Sequence, residues 1–168
     1  MIEYIARVDE NDVVTGKTTK QESHKNGWHH RVVAIFVMRG DKLLINRRED
    51  NGLLDHSVGG HVLYGEEYGV AARRESFEEI GLPENIPIQY LEKFLVLEKK
   101  DNAILRHWFS LYRANVDDAF MPQAQAGEVR ELFFQNIFEV ISDMQARPDA
   151  YSGGFRTTIK VFIKYKTF

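Results

Sequence analysis

The stretch that decides how this chain folds runs from Gly60 to Leu82: GHVLYGEEYGVAARRESFEEIGL. A glycine-rich loop passes straight into a helix-forming run that carries Glu75, Glu78 and Glu79. These three stand at i, i+3 and i+4, so their carboxylates share one helix face. Like charges so placed destabilise a bare helix by roughly a few tenths of a kcal/mol per pair. A cation is the natural compensation. Oxygen-only ligands suit a hard divalent ion, Mg²⁺ or Mn²⁺, and Mg²⁺ held by a few carboxylates usually also holds substrate phosphates. The acidic helix is predicted over 67–80, with Gly81 as its stop and Pro83 beyond it. Val70, Phe77 and Ile80 should face away from the acids, towards the core.

At these residues the chain resembles the Nudix hydrolases, whose pattern is Gly-x5-Glu-x7-Arg-Glu-U-x-Glu-Glu-x-Gly-U, with U a bulky aliphatic. Here it reads Gly60, Glu66, Arg74, Glu75, Ser76, Glu78, Glu79, Gly81 and Leu82. All fixed positions match, which chance supplies with a probability on the order of 10⁻⁸ per starting point at ordinary residue frequencies. Ser76 is the departure, since an aliphatic belongs there; it bears on packing, because no acid is lost. The resemblance implies an α+β fold, an α/β/α sandwich with a mixed sheet and the acidic helix lining the cleft. It implies Glu75, Glu78 and Glu79 as metal ligands, joined by the Gly59 carbonyl. Glu66 would assist the metal shell. Arg74 would pair with a glutamate of the motif and set its rotamer.

Composition narrows the rest. A chain of 168 residues suggests one domain, 1–168, able to bury its own core. A net charge of −3 argues against a dedicated nucleic-acid or anionic-membrane surface. It leaves room for a phosphorylated substrate, since a bound metal reverses the local field. The absence of cysteine removes disulfides, zinc–thiolate sites and a cysteine nucleophile. The acidic start MIEYIARVDEND does not read as a signal peptide, and no apolar run approaches membrane-spanning length. A cytoplasmic enzyme is the default.

Along the chain, strands are predicted over 2–8, 31–38, 42–46, 57–62, 86–97, 104–114 and 128–134, with 13–15 returning as a hairpin and a turn at 99–102. Thr19-x-x-Glu22 reads as a capping box, with Gly27 closing that short helix. Asn136-x-x-Glu139 starts another helix, which ends near Ala146. Phe155, Ile159, Phe162 and Tyr165 suggest a last one.

Diphosphate hydrolysis needs charge neutralisation, an in-line water and a base; metal ions supply the first and activate the second. The base is open between a glutamate of the motif and an acid on a distant loop, where Glu128 is the candidate and Glu131 the alternate. Arg47 and Arg48 close a strand, and such a basic pair suits phosphate, unless Glu49 or Asp50 takes one of them. Trp28 and Trp108 are candidates for base stacking, with core packing the commoner role.

The histidines bring a second resemblance. Residues 8–30, with Asp55-His56-Ser57-Val58-Gly59-Gly60-His61, are similar to the isopentenyl diphosphate isomerases, which share the Nudix fold. That family binds a metal with histidines near the positions of His24, His30 and His61. Two departures separate the chain from it. Gly59 stands where the isomerases carry a catalytic cysteine, and Ile104 to Trp108 (ILRHW) offers none of their paired acids. His24, His29 and His30 then read as a helix end and strand entry, and His61 as facing the cleft. The sequence therefore points to a metal-dependent pyrophosphohydrolase of a nucleoside diphosphate derivative or related organic diphosphate. An isomerase and a non-catalytic ligand-binding regulator are the alternatives. The expected partner is a small organic diphosphate, with no nucleic acid or membrane and with a homodimer left open.

Overall fold

The computed structural model describes residues 2–100 and 103–165, the side chains of Lys100 and Ala103 excepted. Its axis is β3 (His29–Arg39). Val32, Ala34, Phe36 and Met38 enter one core cluster, while Val33, Ile35 and Val37 enter another on the opposite face. A strand covered on both faces shows a continuous apolar run instead of alternation, as this one does.

Along one edge β3 is paired in parallel by β8 (Ala103–Asn115), from His29 opposite Arg106 to Met38 opposite Asn115. β7 (Ile88–Lys100) runs antiparallel to β8. β1 (Ile5–Val8), β6 (Val58–His61) and β4 (Lys42–Arg48) pair antiparallel with separate portions of β3. β2 (Val14–Thr18) extends from β1, while β5 (Leu54–Asp55) and β9 (Val129–Asn136) extend from β4. The result is one mixed sheet of nine strands among the described residues. α2 (Tyr68–Ile80) covers one face through Ala71, Ala72 and Ile80. α3 (Ile137–Ala146) and α4 (Gly153–Phe162) cover the other through Val140, Met144, Phe155, Ile159 and Phe162. This is the expected α/β/α sandwich. No helix among the described residues is long and apolar enough to cross a membrane.

The caps agree with the sequence. Thr19 and Glu22 form a reciprocal capping box on α1 (Lys20–Asn26), which Gly27 ends in the left-handed region at φ 63. The Asn136 side chain accepts from Phe138 N at the start of α3. The 99–102 turn lies partly outside the described residues.

The core face of α2 departs from the expectation. Val70 is 60% and Phe77 63% exposed, and only Ile80 of that trio is buried. Both do lie opposite Glu79 around the helix. It is Glu79 that faces the sheet, at 5% exposure, with Ala71, Ala72 and Ser76 beside it. A helix that drives one carboxylate inward turns the opposite stripe to solvent. Ser76 is fully buried, and its hydroxyl has no hydrogen-bond partner among the described residues. An unsatisfied buried hydroxyl costs about 1–3 kcal/mol. Ser76→Ala is therefore expected to raise Tm by about 2–4 °C or more in a chain of this size, with turnover unchanged. A lower Tm in a thermal melt would count against this packing account.

Candidate active site and metal centres

Two groups of side chains meet at β6, one on each face of the sheet. On the α2 face Gly60 lies against Glu75, so closely that a Cβ at position 60 would overlap the Glu75 carboxyl group. The sequence motif thus needs glycine here for close approach, not for an unusual backbone angle.

Arg74 is the hub of the acids. Its Nε donates to Glu66 Oε1 and its Nη2 to Glu66 Oε2, both at 2.9 Å. Its Nη1 donates to Glu75 Oε1 at 2.8 Å and to Glu78 Oε2 at 3.1 Å. Nη2 also reaches the His61 carbonyl at 3.1 Å, tying α2 to β6. Burial opposes the charge on Glu66, but the Arg74 bonds and the Leu63 N–H outweigh it and hold that carboxyl below its ordinary range. The expected pairing of Arg74 with a glutamate of the motif is therefore present, as a fork over Glu66 with a branch to Glu75 and Glu78.

Glu79 is left outside that fork. Burial, then the neighbouring charge of Glu75, pushes its carboxyl well above the ordinary range, opposed by a hydrogen bond from the Gly59 backbone. Asp55 and Glu128 add to the repulsion. Glu75 is pushed up as well, by burial first and against the pull of Arg74, with Glu78 and Glu128 contributing. Asn46 Nδ2 donates to Glu79 Oε2 at 3.3 Å. Carboxylates that repel one another, Glu79 buried and Glu75 half-buried, form a donor set that fits a hard divalent cation. Glu128 is close enough for its charge to act on both Glu75 and Glu79. Glu131 is instead paired with Arg47 at 3.0 Å.

The basic pair is occupied. Arg48 bonds Asp50 at 2.9 Å and Asp55 at 3.2 Å, and Arg47 takes Glu131. Asp50 was foreseen as a partner; Asp55 and Glu131 were not. Asp55 also accepts from Ser152 Oγ at 2.7 Å and faces His56 Nδ1 at 2.7 Å, while His56 Nε2 meets Thr158 Oγ1 at 2.5 Å. This chain of contacts fastens α4 to the strands beside the motif. Burial would raise the Asp55 carboxyl, but His56, Ser152 and Arg48 outweigh it and hold it below the ordinary 3.8. A carboxyl depressed on folding stabilises the protein above its unfolded pKa, and that contribution fades as pH falls through the folded value. Asp55→Asn is expected to lower Tm at pH 7, with the gap to the parent closing below about pH 4. A gap that stays constant across a pH series of melts would contradict this network.

On the opposite face, four imidazoles converge. The ligand atoms of His24, His30, His61 and His107 lie within 4.8 Å of one another. The His30 ring is 4.6 Å from that of His107, edge-on, and 5.3 Å from that of His61, stacked. His30 Nδ1 lies 2.9 Å from the Trp28 carbonyl, which only accepts, so Nδ1 carries the proton and Nε2 its lone pair. His30 Nε2, His61 Nε2 and His107 Nδ1 are buried without hydrogen-bond partners among the described residues. Burial lowers His30 to about 4 and His107 to about 3, and sends His61 well below 6.5. His30, His61 and His107 are thus held in the neutral form that binds a metal. Four neutral nitrogens fit Zn²⁺ or another late first-row ion better than Mg²⁺.

His24 and His30 are thus more than a helix end and strand entry, and His29 stays outside the cluster. His107 was missed because β8 was searched for carboxylates. The parallel register sets His107 opposite His30, so an imidazole supplies the fourth donor. Trp28 and Trp108 take cations over their rings, from Arg7 at 4.8 Å and Lys93 at 5.5 Å.

Comparison with known proteins gives the family and the fold. A bacterial isopentenyl-diphosphate Delta-isomerase, from Pectobacterium atrosepticum, is 29% identical over 161 residues, 92% of this chain and 88% of that protein. An uncharacterized Nudix hydrolase of Streptomyces coelicolor is 33% identical over 124 residues, 70% of this chain and 67% of that protein. A crystal structure from Deinococcus radiodurans superposes with a TM-score of 0.69 at 24% identity, covering 86% of this chain and 90% of that one, a likeness of fold. The family model for the NUDIX domain matches residues 28–152, which take in the glycine strand, the acidic helix and three of the four clustered histidines. The chain belongs to the Nudix family.

Proposed function

We propose that this chain is a metal-dependent hydrolase that cleaves the pyrophosphate bond of a nucleoside diphosphate derivative or related organic diphosphate. The observation that carries the reading is the acid cluster itself. Half-buried Glu75 lies against Gly60 and buried Glu79 meets the Gly59 backbone, both held above the ordinary carboxylate range, beside an Arg74 fork that fixes Glu66 and Glu78. Such an arrangement costs stability until a cation binds.

Glu75, Glu78, Glu79 and the Gly59 carbonyl would hold Mg²⁺ or Mn²⁺. When bound, such an ion neutralises phosphate charge and activates water. The chain's own residues do the rest. Arg74 fixes the rotamers of Glu75 and Glu78 from one guanidinium, and Glu66 braces that guanidinium against the Leu63 N–H. Glu128 is the proposed base, because its charge reaches both Glu75 and Glu79 while it stands outside the Arg74 fork. Arg48 and Arg47 would meet phosphate by exchanging their present carboxylate partners for it.

We further infer that His24, His30, His61 and His107 hold a second, softer ion. This cluster favours a second reading, an isomerase of isoprenoid diphosphates, because the resemblance to that family implies a histidine metal site at His24, His30 and His61. Gly59 in place of the cysteine, and His107 in place of strand acids, favour hydrolysis. The test is phosphate release from sugar nucleotides, dinucleotides, nucleoside triphosphates and isoprenoid diphosphates, each with Mg²⁺, Mn²⁺ and chelator. Chelator-sensitive release from one class supports the hydrolase. No release from any class, with metal binding intact, returns the chain to a ligand-binding role.

A further inference from the structure

The imidazole cluster contains no carboxylate, and the Lys20 charge acts on His30, His61 and His107 alike. An ion held by four neutral rings keeps its full 2+ charge in a buried place. Buried charge without a counter-charge is costly. Such a centre recruits an anion.

The place for that anion is beside it. His24, His61 and His107 border a cavity of about 470 Å³ on the α4 face of the sheet. Lys20, Arg48 and Arg156 border the same cavity, against Asp50, Asp55, Glu98 and Asp149. Three cations face four carboxylates, so the lining alone is net negative by one and repels an anion. A divalent ion in the cluster turns it net positive by one. Arg48 is committed to Asp50 and Asp55. Arg156 Nε is buried without a hydrogen-bond partner among the described residues, and Lys20 stands exposed at the first position of α1. Val32, Leu53, Leu105 and Phe109 supply apolar wall. Four imidazoles fill the tetrahedral shell of a zinc ion, so the ion holds an anion through its charge, beside its ligands and not in their place.

Resting on the reading of the cluster as a metal centre, we propose that its ion anchors a phosphate group in this cavity, with Lys20 and Arg156 as companion cations. The cavity is then a metal-gated phosphate site on the face of the sheet away from α2. One phosphate of an organic diphosphate is held there by an ion that the acids of α2 do not touch.

The test uses the full chain carrying Glu75→Gln and Glu79→Gln, which removes the acidic centre as a competing metal site. Zinc content is measured by atomic absorption after chelator stripping and reloading. Binding of inorganic pyrophosphate is then measured by calorimetry, with and without Zn²⁺. One Zn²⁺ per chain, with pyrophosphate bound at least tenfold more tightly in the loaded form, is the expected result. Lys20→Ala with Arg156→Ala should weaken pyrophosphate severalfold and leave zinc content unchanged. His107→Glu should retain zinc but weaken pyrophosphate, because the new carboxylate supplies the missing counter-charge. One Zn²⁺ per chain with pyrophosphate affinity indifferent to loading overturns the anchor while leaving the metal centre standing. No zinc in a chain whose circular dichroism shows it folded overturns the metal centre, and the anchor with it.

Discussion

Glu79→Gln is expected to cut metal-dependent turnover by at least about a hundredfold, a loss of about 2.7 kcal/mol in barrier terms, while making the metal-free protein more stable. Both effects follow from one geometry. Glu79 faces the sheet at 5% exposure, outside the Arg74 fork, and is pushed well above its ordinary range by burial and by Glu75. A carboxyl raised on folding favours its protonated form in the folded state, so it opposes stability increasingly as pH climbs above its unfolded value. The amide keeps the shape and removes that opposition. In chelator the variant should therefore melt higher than the parent at pH 7, and the difference should shrink towards pH 4. With Mn²⁺ the order should reverse, because the parent gains a ligand-bound state that the variant lacks. Thermal melts with and without Mn²⁺, beside turnover, check all three. A variant with near-normal turnover would remove Glu79 from the metal site. A variant that melts lower in chelator would show that its carboxylate is satisfied within the fold.

Gly60→Ala is the second large effect. The added methyl would overlap the carboxyl end of Glu75, and the side chain, not the backbone, must give way. Moving Glu75 breaks its 2.8 Å bond to Arg74 and displaces one ligand of the proposed ion. The expected loss is about a hundredfold in turnover with a weakened apparent affinity for Mn²⁺ and a small change in Tm. Mn²⁺ titration of activity reads this directly. Gly59→Ala is the control. Its methyl would meet His56 Nδ1 at 3.5 Å and the Val33 carbonyl at 3.8 Å, ordinary contacts, so it should be the milder change. Equal losses at both positions would mean that the strand, not the Glu75 contact, sets the effect.

Much of the fold was legible because its signals are local. The β-branched run at 31–38 announced a strand, and Thr19, Gly81 and Asn136 marked helix ends through chemistry that acts within four residues. The acids of α2 were legible for the same reason, since their spacing fixes a shared face. What failed was orientation against the rest of the molecule. Val70 and Phe77 lie opposite Glu79 as the period requires, but which stripe meets the sheet depends on the glycines of β6, which let the carboxylates in. Hydrophobicity alone would have buried Phe77.

The histidine cluster shows the other limit. His24, His30 and His61 come from a helix end, a strand start and the glycine strand, and the resemblance to the isomerases had already named them. His107 sits in a run read only for missing acids. It joins the cluster through the parallel pairing of β3 with β8, a contact between positions 77 residues apart that no local pattern encodes. Arg48 illustrates the same point more mildly. A partner two residues away in Asp50 was visible in the sequence, while Asp55, reached across the short β5 strand, was not.

The most direct test is mass spectrometry of products formed in ¹⁸O-enriched water with Mn²⁺, from an organic diphosphate that gives chelator-sensitive release. The account predicts one ¹⁸O in a phosphate-bearing product, lost on adding chelator and in Glu79→Gln. Products without ¹⁸O, or an isoprenoid diphosphate returned only as its double-bond isomer, would contradict it.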